Sequence, residues 1–176
     1  MTTELSENEK PSTTQIALRY GLISAGAGIL ISLLQFYVVG TNSGLSWLII
    51  PISILVLVVA MNDYKKRNQG YMSLGAGFGL GTMSSVISAV IGGFFNILLL
   101  DFIDPTIIEK LRKDAVLQVQ QAGMGDEQIE QAMQFTDFLL NTGVMFVLGV
   151  ISSLILGGII SLIISAILHK NREEIA

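Results

Sequence analysis

The sequence predicts an all-α integral membrane protein: a four-helix bundle with an extracytoplasmic helical hairpin between its third and fourth spans. Three observations lead there. Tyr20 to Asn62, Asn68 to Leu100 and Phe138 to Leu168 contain no charged residue. A bilayer's hydrocarbon core is about 30 Å thick and is crossed by about 20 apolar residues in helix. The first stretch is divided by Gly40-Thr41-Asn42-Ser43-Gly44, so it reads as two spans and a tight turn. Only 14% of the residues are charged and 51% are hydrophobic. Average soluble domains carry about 25% charge, and this little polar surface cannot cover so much apolar helix in water.

Taken in order, residues 1–14 are polar, with Glu4, Glu7, Glu9, Lys10 and Pro11, and are expected to be a disordered cytoplasmic segment. Residues 15–172 form a single four-span domain, with spans near 17–39, 46–62, 73–100 and 144–168. The apolar run from Tyr20 to Val39 is longer than the about 7–15 residues of a signal-peptide core. Backbone groups in lipid must be satisfied internally, and the runs do not alternate in polarity, so the spans are helices and not barrel strands. Between spans three and four, 104–141 reads as a helical hairpin. Asp104-Pro105 starts its first helix, Ile107, Ile108, Leu111, Ala115, Val119 and Ala122 recur at helical spacing, and Gly123 stops it. Asp126 opens its second helix, and Asn141-Thr142-Gly143 marks either a break or a local kink before the last span. Residues 173–176 are a short tail.

Charge on the connections orients the bundle. Lys10, Arg19, Lys65, Lys66, Arg67, Lys170 and Arg172 share one side, while Asp101 to Asp137 holds three basic residues against eight acids. Basic residues stay on the cytoplasmic side, so both termini are expected in the cytoplasm and the acidic hairpin outside. Tyr20, Tyr64 and Tyr71 then fall near the inner interface, and Tyr37, Trp47 and Phe102 near the outer one. Contact with lipid head groups is a natural second role for Arg19, Lys65, Lys66, Arg67, Lys170 and Arg172.

The best-defined motif is a small residue at every fourth position. Span one carries Ser24, Gly28 and Ser32; span three carries Gly77, Gly81, Ser85, Ala89 and Gly93; span four carries Gly149, Ser153, Gly157, Ser161 and Ser165. Lipid tails are as apolar as leucine, so helices in a membrane associate by close backbone approach, which such rows permit. Spans three and four are expected to pack through theirs; a pore lining or an oligomer face is the alternative use.

Catalytic chemistry finds little support. No cysteine is present, which removes thiolate metal sites and cysteine nucleophiles. Gly75 to Gly81 lacks both the dinucleotide fingerprint and a P-loop lysine. Asp101 and Asp104 are too few oxygens for a calcium site, and Asp104 already reads as a cap. His169, the one histidine, lacks a nucleophile or base partner. Gln35 and Asn96 are the most polar side chains at depth. The spans hold none of the buried ionisable groups that ion-coupled transporters use. No catalytic, cofactor or metal residue is assigned, and nucleic acid is not an expected partner.

Arg19-Tyr20-Gly21-Leu22, Tyr64-Lys65 with Gly70-Tyr71-Met72-Ser73-Leu74-Gly75, and Phe102-Ile103-Asp104-Pro105 resemble a family of small four-span membrane proteins of Bacteroidota, catalogued as a domain of unknown function. The resemblance runs from about Gln15 to Arg172. It implies a bacterial inner-membrane location and brings no activity. The expected function is therefore that of a non-enzymatic membrane protein that assembles with itself or a membrane partner through its small-residue faces. A small oligomeric channel or permease subunit is the alternative.

Overall fold

The computed structural model describes residues 12–40, 44–122 and 125–170. Among them every regular element is helical: α1 (Thr13–Leu34), α2 (Ile49–Arg67), α3 (Leu74–Ile97), α4 (Thr106–Gln121), α5 (Asp126–Leu139) and α6 (Thr142–Leu168). α1 continues as the π-helical turn Gln35–Val39, α3 continues as Leu98–Ile103, and a 3-10 turn, Leu45–Leu48, leads into α2. With these extensions four stretches are long and apolar enough to cross a membrane: Thr13–Val39, Leu45–Arg67, Leu74–Ile103 and Thr142–Leu168. The protein is a multi-pass membrane helix bundle.

The helix ends follow from local chemistry. The Ser12 hydroxyl accepts from the Gln15 amide at 3.4 Å, Ser73 from Ala76 at 3.2 Å, and the Asn141 side chain from Val144 at 3.2 Å. Each satisfies a donor that a helix start leaves unpaired. Two of these caps, and the length of α2, correct three expected limits. Thr13 and Thr14 belong to α1, not to the polar leader, whose residues 1–11 lie outside the described set. Asn141 separates α5 from α6, so the last span starts at Thr142. At the other end of α2, Asp63 to Arg67 continue the helix instead of forming a connection, and Lys65, Lys66 and Arg67 suit the negative end of its dipole. The turn residues 41–43, residues 123–124 with the expected stop at Gly123, and the tail 171–176 with Arg172 are also outside the described set.

α1 and α3 run one way, α2 and α6 the other. One end of the bundle, hereafter the basic end, gathers the start of α1, the α2–α3 connection and the end of α6. Its core holds Ile16, Tyr20, Leu57, Met61, Tyr64, Met72, Leu80 and Ile164. Tyr20 and Tyr64 are thus buried in protein and are not the interfacial anchors expected of them, whereas Tyr37, Trp47 and Phe102 are exposed at the opposite end. A second, smaller core at that hairpin end joins Leu99, Leu100 and Ile107 to Leu33, Phe36, Phe95 and Met145. The π turn after α3 places two consecutive leucines inward, and Ile107 of α4 closes over them.

Candidate functional site

The geometry of the bundle centre follows from the small-residue rows. On α3 and α6 each step of four along one helix matches a step of four back along the other, as an antiparallel pair in one register requires. A Cβ on Gly77 would lie 2.9 Å from Ser165 Cβ, one on Gly81 2.7 Å from Ser161 Cβ, and one on Gly157 2.5 Å from Ser85 Cβ. These approaches leave no room for a side chain. Hydroxyls lock the seam: Ser165 Oγ donates to the Leu74 carbonyl and Ser153 Oγ to that of Ser85, both at 2.8 Å. Hydrogen bonds between membrane helices contribute about 0.6 kcal/mol each.

The register then fails. Two steps further on, Gly93 and Gly149 do not meet. The ring of Phe146 occupies the space over Gly93, its centre 5.1 Å from that of the tilted Phe94 ring. Nothing approaches within 4 Å of a Cβ built on Gly149. Toward the hairpin end the facing rows no longer meet, and all four spans border a cavity of about 470 Å³.

Ser24, Gly28 and Ser32 of α1, expected at a packing seam, line this cavity instead. Gly28 is tight only against Ile49 Cδ1, at 3.2 Å. The row that seats α1 on α3 is Ala17, Gly21 and Ala25, absent from the sequence-based expectation although its spacing is the same. All three are buried. A Cβ on Gly21 would meet Ile87 at 2.8 Å, and the buried Ser84 hydroxyl donates to the Ala17 carbonyl at 3.2 Å. The rule that found the other rows finds this one too; polarity drew attention to the wrong face of α1.

Leu57, Ser85, Gly157 and Ile160 form the cavity floor, above the closed basic end; Ile97, Leu100, Met145 and Thr142 lie toward the hairpin. Asp101 of the α3 extension accepts from the Thr142 hydroxyl at 2.8 Å, tying the two spans across the top. Asn96 and the hydroxyls of Ser24, Ser32, Ser53, Ser88 and Ser152 face an otherwise apolar wall. None of the lining residues carries a charge. The lining residues that are exposed on α2 and α6 are Ile49, Ile50, Ser152 and Leu156, with Gly149 beside them. The mouth therefore lies between those two helices, on the side of the bundle.

The basic residues hold the opposite end together. Asp63 receives Arg67 Nε at 3.1 Å and lies 3.9 Å from Arg19, joining α1 to α2. Lys65 Nζ donates to the Leu168 carbonyl at 2.9 Å, closing the end of α6. Lys170 pairs its backbone with Met72 at 2.9 and 3.0 Å and sets its ammonium 5.7 Å from the Tyr71 ring centre. Lys66 is exposed. The His169 ring hydrogen-bonds the Ala166 carbonyl at 2.7 Å. Gln35 accepts from the Ser46 hydroxyl across the first turn. Among the described residues no group of three or more His, Asp or Glu could hold a metal ion. Asp104 is engaged locally, accepting the Thr106 amide at 3.2 Å.

No curated protein and no solved structure matches the chain. A family model does match, over residues 19–170, which takes in most of the first span, the other three, α4, α5 and every residue that lines the cavity. The chain thus belongs to the family described as protein of unknown function DUF4199.

Proposed function

We propose that this is a non-enzymatic membrane protein whose working part is the one-ended cleft between its four spans, and that it holds a guest drawn from the bilayer. The carrying observation is the contrast along the α3–α6 seam. The helices touch through Gly77, Gly81 and Gly157, and beyond that seam the same rows border a 470 Å³ space. Small-molecule sites typically occupy about 300–1,000 Å³ and combine apolar walls with a few polar groups. A through-channel fits less well, because the buried Met61, Leu80 and Ser161 fill the bundle below the cleft floor. The basic-end charges support a bacterial inner-membrane orientation with both termini in the cytoplasm.

The test is extraction of the protein in polymer-bounded native bilayer, with mass spectrometry of what co-purifies. Gly149→Leu adds volume to the cleft at a position where a Cβ meets no protein atom within 4 Å, so it should lose a small molecule that the wild type retains. Identical co-purifying molecules in both would refute the cleft reading. Because the chain has no cysteine, Thr14→Cys and Gln121→Cys can each report sidedness. Labelling of Gln121→Cys only after lysis would refute the orientation.

Assembly with a second membrane protein is the other reading. Gly75 and Gly79 lie four apart on α3, and a Cβ on either would meet nothing within 4 Å, the geometry that a partner helix can use. Leucine at both should then change the oligomeric state in detergent, and an unchanged state would dismiss it.

A further inference from the structure

We infer that the guest is an uncharged single-chain amphiphile that enters sideways between α2 and α6; this rests on the cleft reading above. Four features of the cleft point to it. Its exposed rim, Ile49, Ile50 and Leu156, opens to the side of a span-deep helix pair, where the surrounding medium is lipid. A guest arriving there must already be dissolved in the bilayer. Ile29, Leu57, Ile97, Met145, Phe146 and Ile160 give it a mostly apolar wall between scattered hydroxyls, which accommodates a hydrocarbon chain. It offers no charged side chain, and a charge placed in an uncompensated membrane site is unfavourable. That disfavours fatty acids, phosphates and ammonium compounds.

The polar groups define the head of the guest. Ser53, Ser85 and Ser153 already donate their protons to the carbonyls of Ile50, Gly81 and Ser85, at 2.8, 3.0 and 2.8 Å, so they offer only acceptor oxygens. Ser24, Ser32, Ser88 and Asn96 line the same space. Polar groups in a membrane interior seek partners because no bulk water supplies them. Asn96 and Ser32 line the cavity toward the hairpin end, and the Asn96 amide by itself offers both a donor and an acceptor suited to a hydroxyl or a neutral amide. The chain of the guest then runs down past Met145 and Phe146 toward Leu57. A long-chain alcohol or a monoacylglycerol has this chemistry.

The experiment uses the full-length protein in phosphatidylcholine nanodiscs with two photoreactive probes of equal chain length, each with a diazirine near the chain end. One is a monoacylglycerol, the other the corresponding fatty acid, ionised at pH 8. The neutral probe should label peptides from α3 and α6 that line the cleft, at least tenfold more than the acid does. Gly149→Leu should abolish this labelling, Asn96→Leu should weaken it severalfold, and Gly79→Leu, outside the cleft, should leave it unchanged. Equal labelling by the fatty acid overturns the charge selectivity while leaving the cleft as a guest site. Labelling that survives Gly149→Leu overturns both. A crosslink joining two copies through the mouth replaces the amphiphile with a partner helix and overturns the inference.

Discussion

The two ends of this bundle are built from the same residue types and behave oppositely. At the basic end, glycine against serine brings α3 and α6 into contact through Gly77, Gly81 and Gly157. At the hairpin end the same rows continue as Ala89, Gly93, Gly149 and Ser153, yet there they border the cavity. The difference lies in what surrounds the rows. Below, Met61, Met72 and Leu80, none of them exposed, press the helices together. Above, the Phe146 ring takes the space over Gly93 that a facing small residue would need. A small residue permits approach; its neighbours decide whether approach happens.

Substitutions can break this contrast, and the largest effect belongs to the closed seam. Gly81→Leu or Gly157→Leu should lower stability by about 1–3 kcal/mol or more, as overpacking of a tight interface does, read by thermal unfolding in detergent. Unchanged unfolding would mean that the seam is loosely packed. The clamp beneath it comes next. Asp63→Ala removes a carboxylate that serves Arg67 and Arg19, and the loss should be at most about 1 kcal/mol, given how exposed both arginines are. Ser153→Ala, at the edge of the closed seam, should lose about 0.6 kcal/mol; a loss of several times that would show the bond to be what closes the seam there.

Acid should act locally at the hairpin end. The Thr106 hydroxyl hydrogen bond, with help from Tyr37 and Lys110, holds the Asp104 carboxyl below the usual aspartate range. A depressed carboxylate stabilises the folded state above its unfolded pKa, and that contribution disappears as pH falls through the folded one. Amide protection in the first turn of α4, relative to the intrinsic exchange rate at each pH, should therefore fall below about pH 4, near the ordinary aspartate value, while the basic-end helices stay protected. The smallest effect should be that of Gly149→Leu. It adds volume only to the cleft and should leave stability within about 0.5 kcal/mol. A large loss would show the hairpin end to be as closely packed as the basic end, and the comparison would collapse.

Much of the bundle was legible beforehand, for identifiable reasons. Runs without charge mark membrane spans because ionised groups are excluded from hydrocarbon. Ser12, Ser73 and Asn141 each sit at a helix start, though only their hydrogen bonds in the folded chain fixed the start. The antiparallel register of α3 and α6 was implicit in two rows of equal period. On α1 the row against α3 is not the one that the spacing alone singled out. Ser24, Gly28 and Ser32 have the packing spacing, but so do Ala17, Gly21 and Ala25, and spacing cannot rank two faces of one helix.

The amino-acid order by itself determined the solvent, the number of spans and the rows available for close contact, because hydropathy and a period near four are local properties. The tertiary arrangement decided which rows close and which line a space. That outcome depends on side chains far apart in the chain, such as Phe146 over Gly93 and Ile87 against Gly21. Crossed helices can stay in contact over only part of their length. Where contact ends is set by the volume of whatever third element fills the gap, and no single stretch of sequence encodes that.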